Sequence, residues 1–231
     1  MSGRKCMHLE NKVESDKIKL RILFIIMVSK WEKFFREKMV KIFTEKDQVI
    51  DIGGSLRVLE GRGNRYDKSR QWLKPYIDRV DYKILDPVPD YNPDLVEDIH
   101  NLSFKDNTID AYMCIAVLEH VENPIKAVQE IYRTLKKGGY CFVYVPFLYY
   151  YHAEVGYYKD YWRFTRDTID NIFKDFSQVE VCNVRGAIET WFKISPFGKY
   201  NFVLYIGRFL DRVLRKESSR QTSGYHIFAI K

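Results

Sequence analysis

From Gln48 onward, short β-branched runs alternate with helical spacings, and that alternation sets the expected architecture. Val49–Ile52, Tyr82–Leu85, Asp94–Val96, Ile109–Ile115, Tyr140–Val145, Val179–Val184 and Gly224–Lys231 read as seven strands. Arg70–Asp78 reads as a helix, as does Pro124–Leu135, which carries Ile125, Val128, Ile131, Tyr132 and Leu135 on one stripe. Lys136-Lys137-Gly138-Gly139 closes the second helix, with cations by its negative end and glycine for the turn. Thr165 and Asp167 are suited to capping a helix over Thr168–Phe173. Strands that alternate with helices in this way predict an α/β fold around a parallel sheet.

The two ends of the chain break that pattern. Residues 1–16 are polar, mixed in charge and without period, and are expected to be disordered. Residues 17–47 form an amphipathic helix in this reading, with Ile22, Ile25, Ile26, Phe34, Phe35, Met39, Ile42 and Phe43 on its apolar side. Packing on the sheet and lying on a membrane both suit such a helix. Residues 48–231 are expected to form the domain proper, with a helical insertion at about 185–220. There Phe202, Tyr205, Ile206, Phe209, Leu210 and Val213 share a face, and Arg208, Arg212 and Arg215 lie beside it. The apolar run Ile22–Val28 is far below the roughly 18–20 residues needed to span a bilayer. Lys30, Glu32 and Lys33 follow it without a small-residue cleavage site, so a cytoplasmic protein is expected, with peripheral membrane contact as an added option and Met27 as an alternative start.

Composition sharpens this picture in three places. A chain of 231 residues with 46% hydrophobic and 16% aromatic content holds a real core, which excludes a disordered chain. The net charge of +7 sits at the ends: residues 1–47 carry 12 Lys/Arg against 7 Asp/Glu, and residues 185–231 carry 9 against 3. The acidic centre argues against nucleic acid as its partner and leaves anionic surfaces to the termini. Cys6, Cys114, Cys141 and Cys182 form no C-x-x-C pair, and three of them fall in strand-like runs, as free thiols in a reducing compartment do.

Candidate chemistry gathers at strand ends. Val49–Ser55 reads V-I-D-I-G-G-S: a strand, an acid and a glycine turn. Asp86 and Asp98 end the next two strands, and Cys114–His120 ends the fourth. A carboxylate at the position of Asp86 suits a ribose diol, because it accepts both hydroxyl protons, and a further acid suits an adenine amine. The spacing asks for an adenosine-bearing ligand.

At this point the chain resembles a known family. V-I-D-I-G-G-S, Y-K-I-L-D-P, L-V-E-D-I-H-N-L-S-F-K-D-N-T-I-D, C-I-A-V-L-E-H-V-E-N-P and Y-R-T-L-K-K-G-G-Y, in this order, resemble class I S-adenosylmethionine-dependent methyltransferases of the type 11 group, over about residues 48–173. The resemblance implies a Rossmann-like three-layer sandwich, with a seven-stranded, mainly parallel sheet and an antiparallel last strand. It implies S-adenosylmethionine as cofactor. Asp51, Gly53 and Gly54 would hold the methionine moiety, and Asp86 the ribose hydroxyls. Asp98 would face the adenine amine, Ile99 the ring, and the Ile115-Ala116 backbone the methionine end. One departure stands out: Ser55 occupies the last position of the family's D-x-G-x-G pattern, which raises a catalytically silent binding protein of this fold as the alternative.

The acceptor side is expected after the fifth strand, where nine of the nineteen residues Phe147–Thr165 are aromatic. The run D-Y-W-R-F-T also resembles a subgroup signature. His152 is the candidate base, Tyr161 a second catalytic candidate, and Arg163 and His120 candidate acceptor contacts; an Asp160–Arg163 structural ion pair is the competing reading. Some relatives carry E-x-x-E-H at the fourth strand and bind a divalent metal with a later histidine. Here Ala116 replaces the first carboxylate, and no metal is expected. The aromatic loop and its histidine favour oxygen methylation of a small, lipid-like or glycan-like acceptor.

Overall fold

The computed structural model describes residues 28–63 and 65–231; the tail expected at 1–16, with Cys6, and the first part of the N-terminal helix lie outside the described residues. Helix α1 (Lys30–Glu45) starts at a capping box, in which Ser29 accepts from the Glu32 amide and Glu32 reaches back to the Ser29 amide. Its Met39, Ile42 and Phe43 are buried against the sheet.

Strand β1 (Gln48–Ile52) shows why the sheet is covered on both faces. Ile50 and Ile52 pack into one core with Ala127, Val128 and Ile131 of helix α3 (Pro124–Thr134). Val49 faces the other way, into the core that holds the α1 side chains. Such a strand, apolar on both sides, is typical of the middle of a parallel sheet. After β1 come a short helix α2 (Lys74–Ile77), β2 (Asp81–Leu85), β3 (Ile109–Ile115), α3, β4 (Leu135–Pro146), α4 (Arg166–Ile172) and β5 (Gln178–Val184). Helices α5 (Ala187–Ile194) and α6 (Asn201–Val213) and strand β6 (Gly224–Ile230) complete the order. The sheet runs β2-β1-β3-β4-β6-β5. Strands β1 to β4 are parallel, and β6 is antiparallel to both β4 and β5. This is a Rossmann-like three-layer α/β sandwich.

The sheet has six strands among the described residues, where seven were expected. Asp94–Val96 makes a single bridge, Leu85 to Leu95. The Asp94 carboxylate accepts the Ile84 amide at 2.8 Å, so a side chain takes a donor that a seventh strand's carbonyl would need. Arg70–Asp78 is also less regular than its spacing suggested: a 3₁₀ turn over Lys68–Leu73, capped by Asp67, precedes the short α2.

Sheet order places the site. The chain runs outward from β1 to β2, then crosses back to β3 on the other side of β1. Ligands of such sheets bind beyond the strand carboxyl ends at that reversal.

Candidate active site

A cavity of about 540 Å³ opens beyond the carboxyl ends of the strands. Gly53 follows β1 with φ +75° and Gly54 follows with φ +56°, a conformation that favours glycine. A β-carbon on Gly53 would stand 2.8 Å from Val117, and one on Gly54 would stand 3.0 Å from the Gly63 backbone, so the loop is packed as tightly as its dihedrals imply. Ser55 does not share that conformation. It lines the cavity, 5% exposed, without a positive φ.

Asp51 is fully buried beneath this loop and does not reach the cavity. Its carboxylate accepts from the Ser55 amide at 2.9 Å, the Ser55 hydroxyl at 2.5 Å, the Leu56 amide at 2.9 Å and the Tyr82 hydroxyl. Burial pushes its pKa up, against the pull of these four donors. Asp51 therefore shapes the glycine turn from below. Gly54 likewise does not line the cavity; it supplies the turn.

The remaining residues expected on the cofactor side do line it: Gly53, Asp86, Asp98, Ile99, Ile115 and Ala116. Asp86, at the end of β2, is 7% exposed and accepts the Val88 amide at 2.8 Å, and burial raises its pKa. Asp98 is open, its side chain 65% exposed, and it faces the His100 imidazole and amide at 2.6 and 2.9 Å. Ala116 sits at φ +56°, a strained position for a residue with a β-carbon, at the end of β3. The set suits the adenosine cofactor chemically. It offers a packed glycine turn, a buried carboxylate for a diol, and the apolar sides of Ile99 and Ile115.

Just beyond Ala116, Glu119 and His120 meet His152, with one nitrogen or oxygen of each within 4.8 Å of one another. Glu119 is fully buried, and neither of its oxygens has a hydrogen bond among the described residues. His152 Nε2 lies 3.5 Å from Glu119 Oε1, and His120 Nε2 lies 3.8 Å from the same atom. His120 Nδ1 contacts the Lys159 carbonyl at 2.7 Å, which fixes that ring. His152 Nδ1 faces the Tyr150 carbonyl at 3.1 Å and Asp160 at 3.2 Å. The Glu119 carboxylate, more than any other neighbour, raises the His152 pKa above its ordinary 6.5; burial works the other way.

Tyr161 and Arg163, expected at the acceptor, do not line the cavity. The Tyr161 amide donates to the Glu119 carbonyl at 2.8 Å, and its hydroxyl points to Glu122 at 3.3 Å. Arg163 holds Asp160 through both terminal nitrogens, at 2.6 and 2.8 Å, and donates to the carbonyls of Tyr149, Tyr150 and Trp162. Asp160, its side chain fully buried, then accepts the His152 amide at 2.8 Å and is pulled down to about 2, chiefly by Arg163. The D-Y-W-R segment is thus a buckle that positions His152. The structural ion pair is the reading that fits.

Several cavity residues carried no sequence signal. They include Trp31 of α1, Arg57 and Arg70 after β1, Arg185 after β5, Tyr144 and His226. They come from distant segments, and no spacing rule joins them. Only the positive charge of the terminal regions hinted at Arg185.

Residues 78–143 match the model of the type 11 methyltransferase domain family. A stretch of 103 residues is 38% identical to an uncharacterised protein of Methanocaldococcus jannaschii; it covers 44% of this chain and 42% of that protein, so the match spans less than half of the curated relative's length. The fold is similar to the crystal structure of an S-adenosylmethionine-dependent methyltransferase from Archaeoglobus fulgidus, with a TM-score of 0.53, 16% identity, and 84% of this chain and 90% of that one covered. It is also similar to a possible histamine N-methyltransferase from Thermotoga maritima, with a TM-score of 0.50, 17% identity, and 84% and 86% of the two chains covered. At these identities the likeness to solved structures is one of fold.

Proposed function

We propose, from the premise that this chain carries a class I S-adenosylmethionine-dependent methyltransferase domain, that its cavity aligns an acceptor hydroxyl with the cofactor's methyl group. The observation that carries the reading is one cavity lined by two chemically distinct groups. Gly53, Asp86, Asp98, Ile99 and Ala116, which follow β1, β2 and β3, form the cofactor group of its lining, and Glu119 and His152, which line the same cavity, form an acid–base group.

When bound, S-adenosylmethionine supplies an electrophilic sulfonium methyl, so the protein has little covalent work to do. Asp86 would accept the ribose hydroxyls, Asp98 would take the adenine amine, and Ile99 would offer its apolar side to the ring. The Gly53 backbone lets the methionine end approach closely. Asp51 keeps that turn in place from below. His152 takes the acceptor's proton, and buried Glu119 stabilises the imidazolium that results. Arg163, acting through Asp160, is a positioning residue for His152. Ser55, with an ordinary φ and its hydroxyl on Asp51, supports the catalytic reading over a silent member of the fold. Methyl transfer from labelled cofactor to sugar, lipid-linked and phenolic acceptors tests the reading, with Asp86→Ala as control. Transfer that the control lacks is the expected result; a fully active control would overturn the cofactor pose.

A peripheral membrane role has its own support. Trp191, Phe197, Phe202, Phe209, Val213 and Leu214, in or beside α5 and α6, are each 55–64% exposed. The apolar stripe of α6 faces outward because its inner face is Gly207 and Asp211. Gly207 approaches the Glu189 backbone closely, and Asp211 accepts the Ile188 and Glu189 amides at 2.8 Å each, capping α5. Lys193, Lys199 and Arg215 lie in the same segment, a composition that suits an anionic bilayer. No helix among the described residues is long and apolar enough to cross a membrane. Flotation with phosphatidylserine vesicles at low salt should carry the protein upward, and Phe202→Asp should leave it behind. Failure of the unaltered protein to float would remove this role.

A further inference from the structure

The cavity holds more positive charge than its cofactor group accounts for. Besides the expected residues, Arg57, Arg70 and Arg185 line it, together with Trp31 and His226. These side chains form one group. The Arg185 guanidinium lies 5.5 Å from the Trp31 ring, and Trp31 lies 6.0 Å from His226. Phe35 contacts His226 at 5.7 Å, and Arg70 lies 5.1 Å from Phe35. Arg57 and Arg185 both act on the Tyr149 hydroxyl, and burial with Arg70 and Arg185 holds His226 down to about 3, as an uncharged ring.

Little within the chain neutralises these cations. Arg57 has no ion pair among the described residues, and Arg70 pairs with Asp67 at 3.7 Å and donates to the Ser55 carbonyl at 3.3 Å. Arg185 reaches Glu189 at 3.7 Å, but both oxygens of Glu189 are already taken by Arg208, at 2.9 and 3.3 Å. Two buried N–H donors in the group, Arg185 Nε and Trp31 Nε1, have no hydrogen-bond partner among the described residues. Orphaned buried donors are rare in folded proteins and mark the place of a missing acceptor atom. Arg57 and Arg185 also hold left-handed backbone conformations, φ +57° and +68°, of the kind that persists where a site requires it.

The cofactor does not answer this charge. S-adenosylmethionine carries one carboxylate against an ammonium and a sulfonium, so it enters as a net cation. The cavity's acids are elsewhere: Asp86 and Asp98 toward the β2 edge, and Glu119 beside the two histidines. Arg185 follows β5 and His226 lies on β6, both on the half of the sheet away from the cofactor residues. Arg57 and Arg70 reach the cavity from beside the glycine turn, where the Arg57 amide donates to the Gly54 carbonyl and Arg70 to the Ser55 carbonyl.

We propose that Arg57, Arg70 and Arg185, with Trp31 Nε1, form a phosphate-binding subsite, and that the methyl acceptor is a phosphorylated molecule. Guanidinium forks match phosphate oxygens, and a dianion offsets charge that one carboxylate leaves unmatched. The proposal rests on the assignment of the two cavity groups given above.

Calorimetry on the full chain saturated with S-adenosylhomocysteine tests it, with phenyl phosphate, inorganic phosphate and phenol as probes. Phenyl phosphate should bind at least 10-fold more tightly than phenol, and inorganic phosphate should bind without displacing S-adenosylhomocysteine. Arg185→Gln and Arg57→Gln should each weaken phenyl phosphate about 10- to 100-fold, the range for losing one charged hydrogen bond. Their S-adenosylhomocysteine affinity should stay within about twofold of the unaltered protein, and Trp31→Phe, which keeps the ring, should weaken phenyl phosphate alone. Displacement of phosphate by S-adenosylhomocysteine, or loss of its affinity in the arginine variants, would assign these residues to the cofactor carboxylate and overturn the proposal. So would equal binding of phenol and phenyl phosphate. Arginine-dependent phosphate binding in a protein that ignores S-adenosylhomocysteine would instead sustain the subsite and sink the methyltransferase reading.

Discussion

Replacing Ser55 by glycine completes the D-x-G-x-G pattern that the loop resembles, and the structure predicts that the change does harm. Ser55 has no positive φ, so glycine relieves no strain. What is lost is a buried hydrogen bond of 2.5 Å from the hydroxyl to a fully buried carboxylate. Hydrogen bonds to charged groups contribute roughly 1.5–3 kcal/mol, and Asp51 keeps its other three donors, so Ser55→Ala should cost toward the lower end, about 1.5–2 kcal/mol. Glycine adds about 0.5–1 kcal/mol of backbone entropy. At about 2–4 °C per kcal/mol for a domain of this size, Ser55→Ala should lower Tm by roughly 3–8 °C, and Ser55→Gly by a few degrees more. Thermal denaturation monitored by circular dichroism, with and without S-adenosylhomocysteine, reads both effects. In an Asp51→Asn background the Ser55→Ala cost should shrink, since the two side chains are coupled. A Ser55→Gly protein as stable as its parent and tighter for cofactor would refute this reasoning and identify serine as an obstruction.

Two further outcomes follow from the acceptor side. Because Glu119 raises the His152 pKa and a base must be uncharged to accept a proton, kcat/KM should rise with pH through a midpoint above 6.5. His152→Gln should remove that limb and cost roughly 10²- to 10⁴-fold, and chelator should leave the parent rate unchanged. A flat profile would exclude His152 as base, and a rate lost to chelator and restored by one divalent ion would turn the Glu119–His120–His152 cluster into a metal site. Arg163→Met leaves buried Asp160 without its bidentate partner, a loss of about 3–5 kcal/mol that should lower Tm by roughly 6–20 °C. The acceptor KM should rise while S-adenosylhomocysteine affinity holds; an unchanged KM would show that the buckle does not position the acceptor loop.

What could be read from the chain follows the range of the forces involved. The glycine turn, Asp86 and the helix that buries Val128 and Ile131 are local patterns, and the structure places them as their spacing implies. The strand expected at Asp94–Val96 was lost to a side-chain hydrogen bond that no hydrophobic count registers. Asp51 was legible as important but not as buried, because its donors Ser55 and Tyr82 meet it from the glycine loop and from β2. The outward turn of the α6 stripe depends on Asp211 capping another helix, a tertiary contact. Trp31, Arg57, Arg70 and Arg185 are joined only by the sheet's strand order, so nothing in their sequence neighbourhoods could announce a common site.

The central claim is that the strand-end cavity holds the methyl donor, and calorimetric titration of S-adenosylmethionine into the full chain tests it most directly. One-to-one binding is predicted, weakened roughly 10-fold or more by Asp86→Ala, which removes a buried acceptor of two hydroxyl protons. Absence of heat at millimolar cofactor, or a variant that binds as tightly as its parent, would contradict the account.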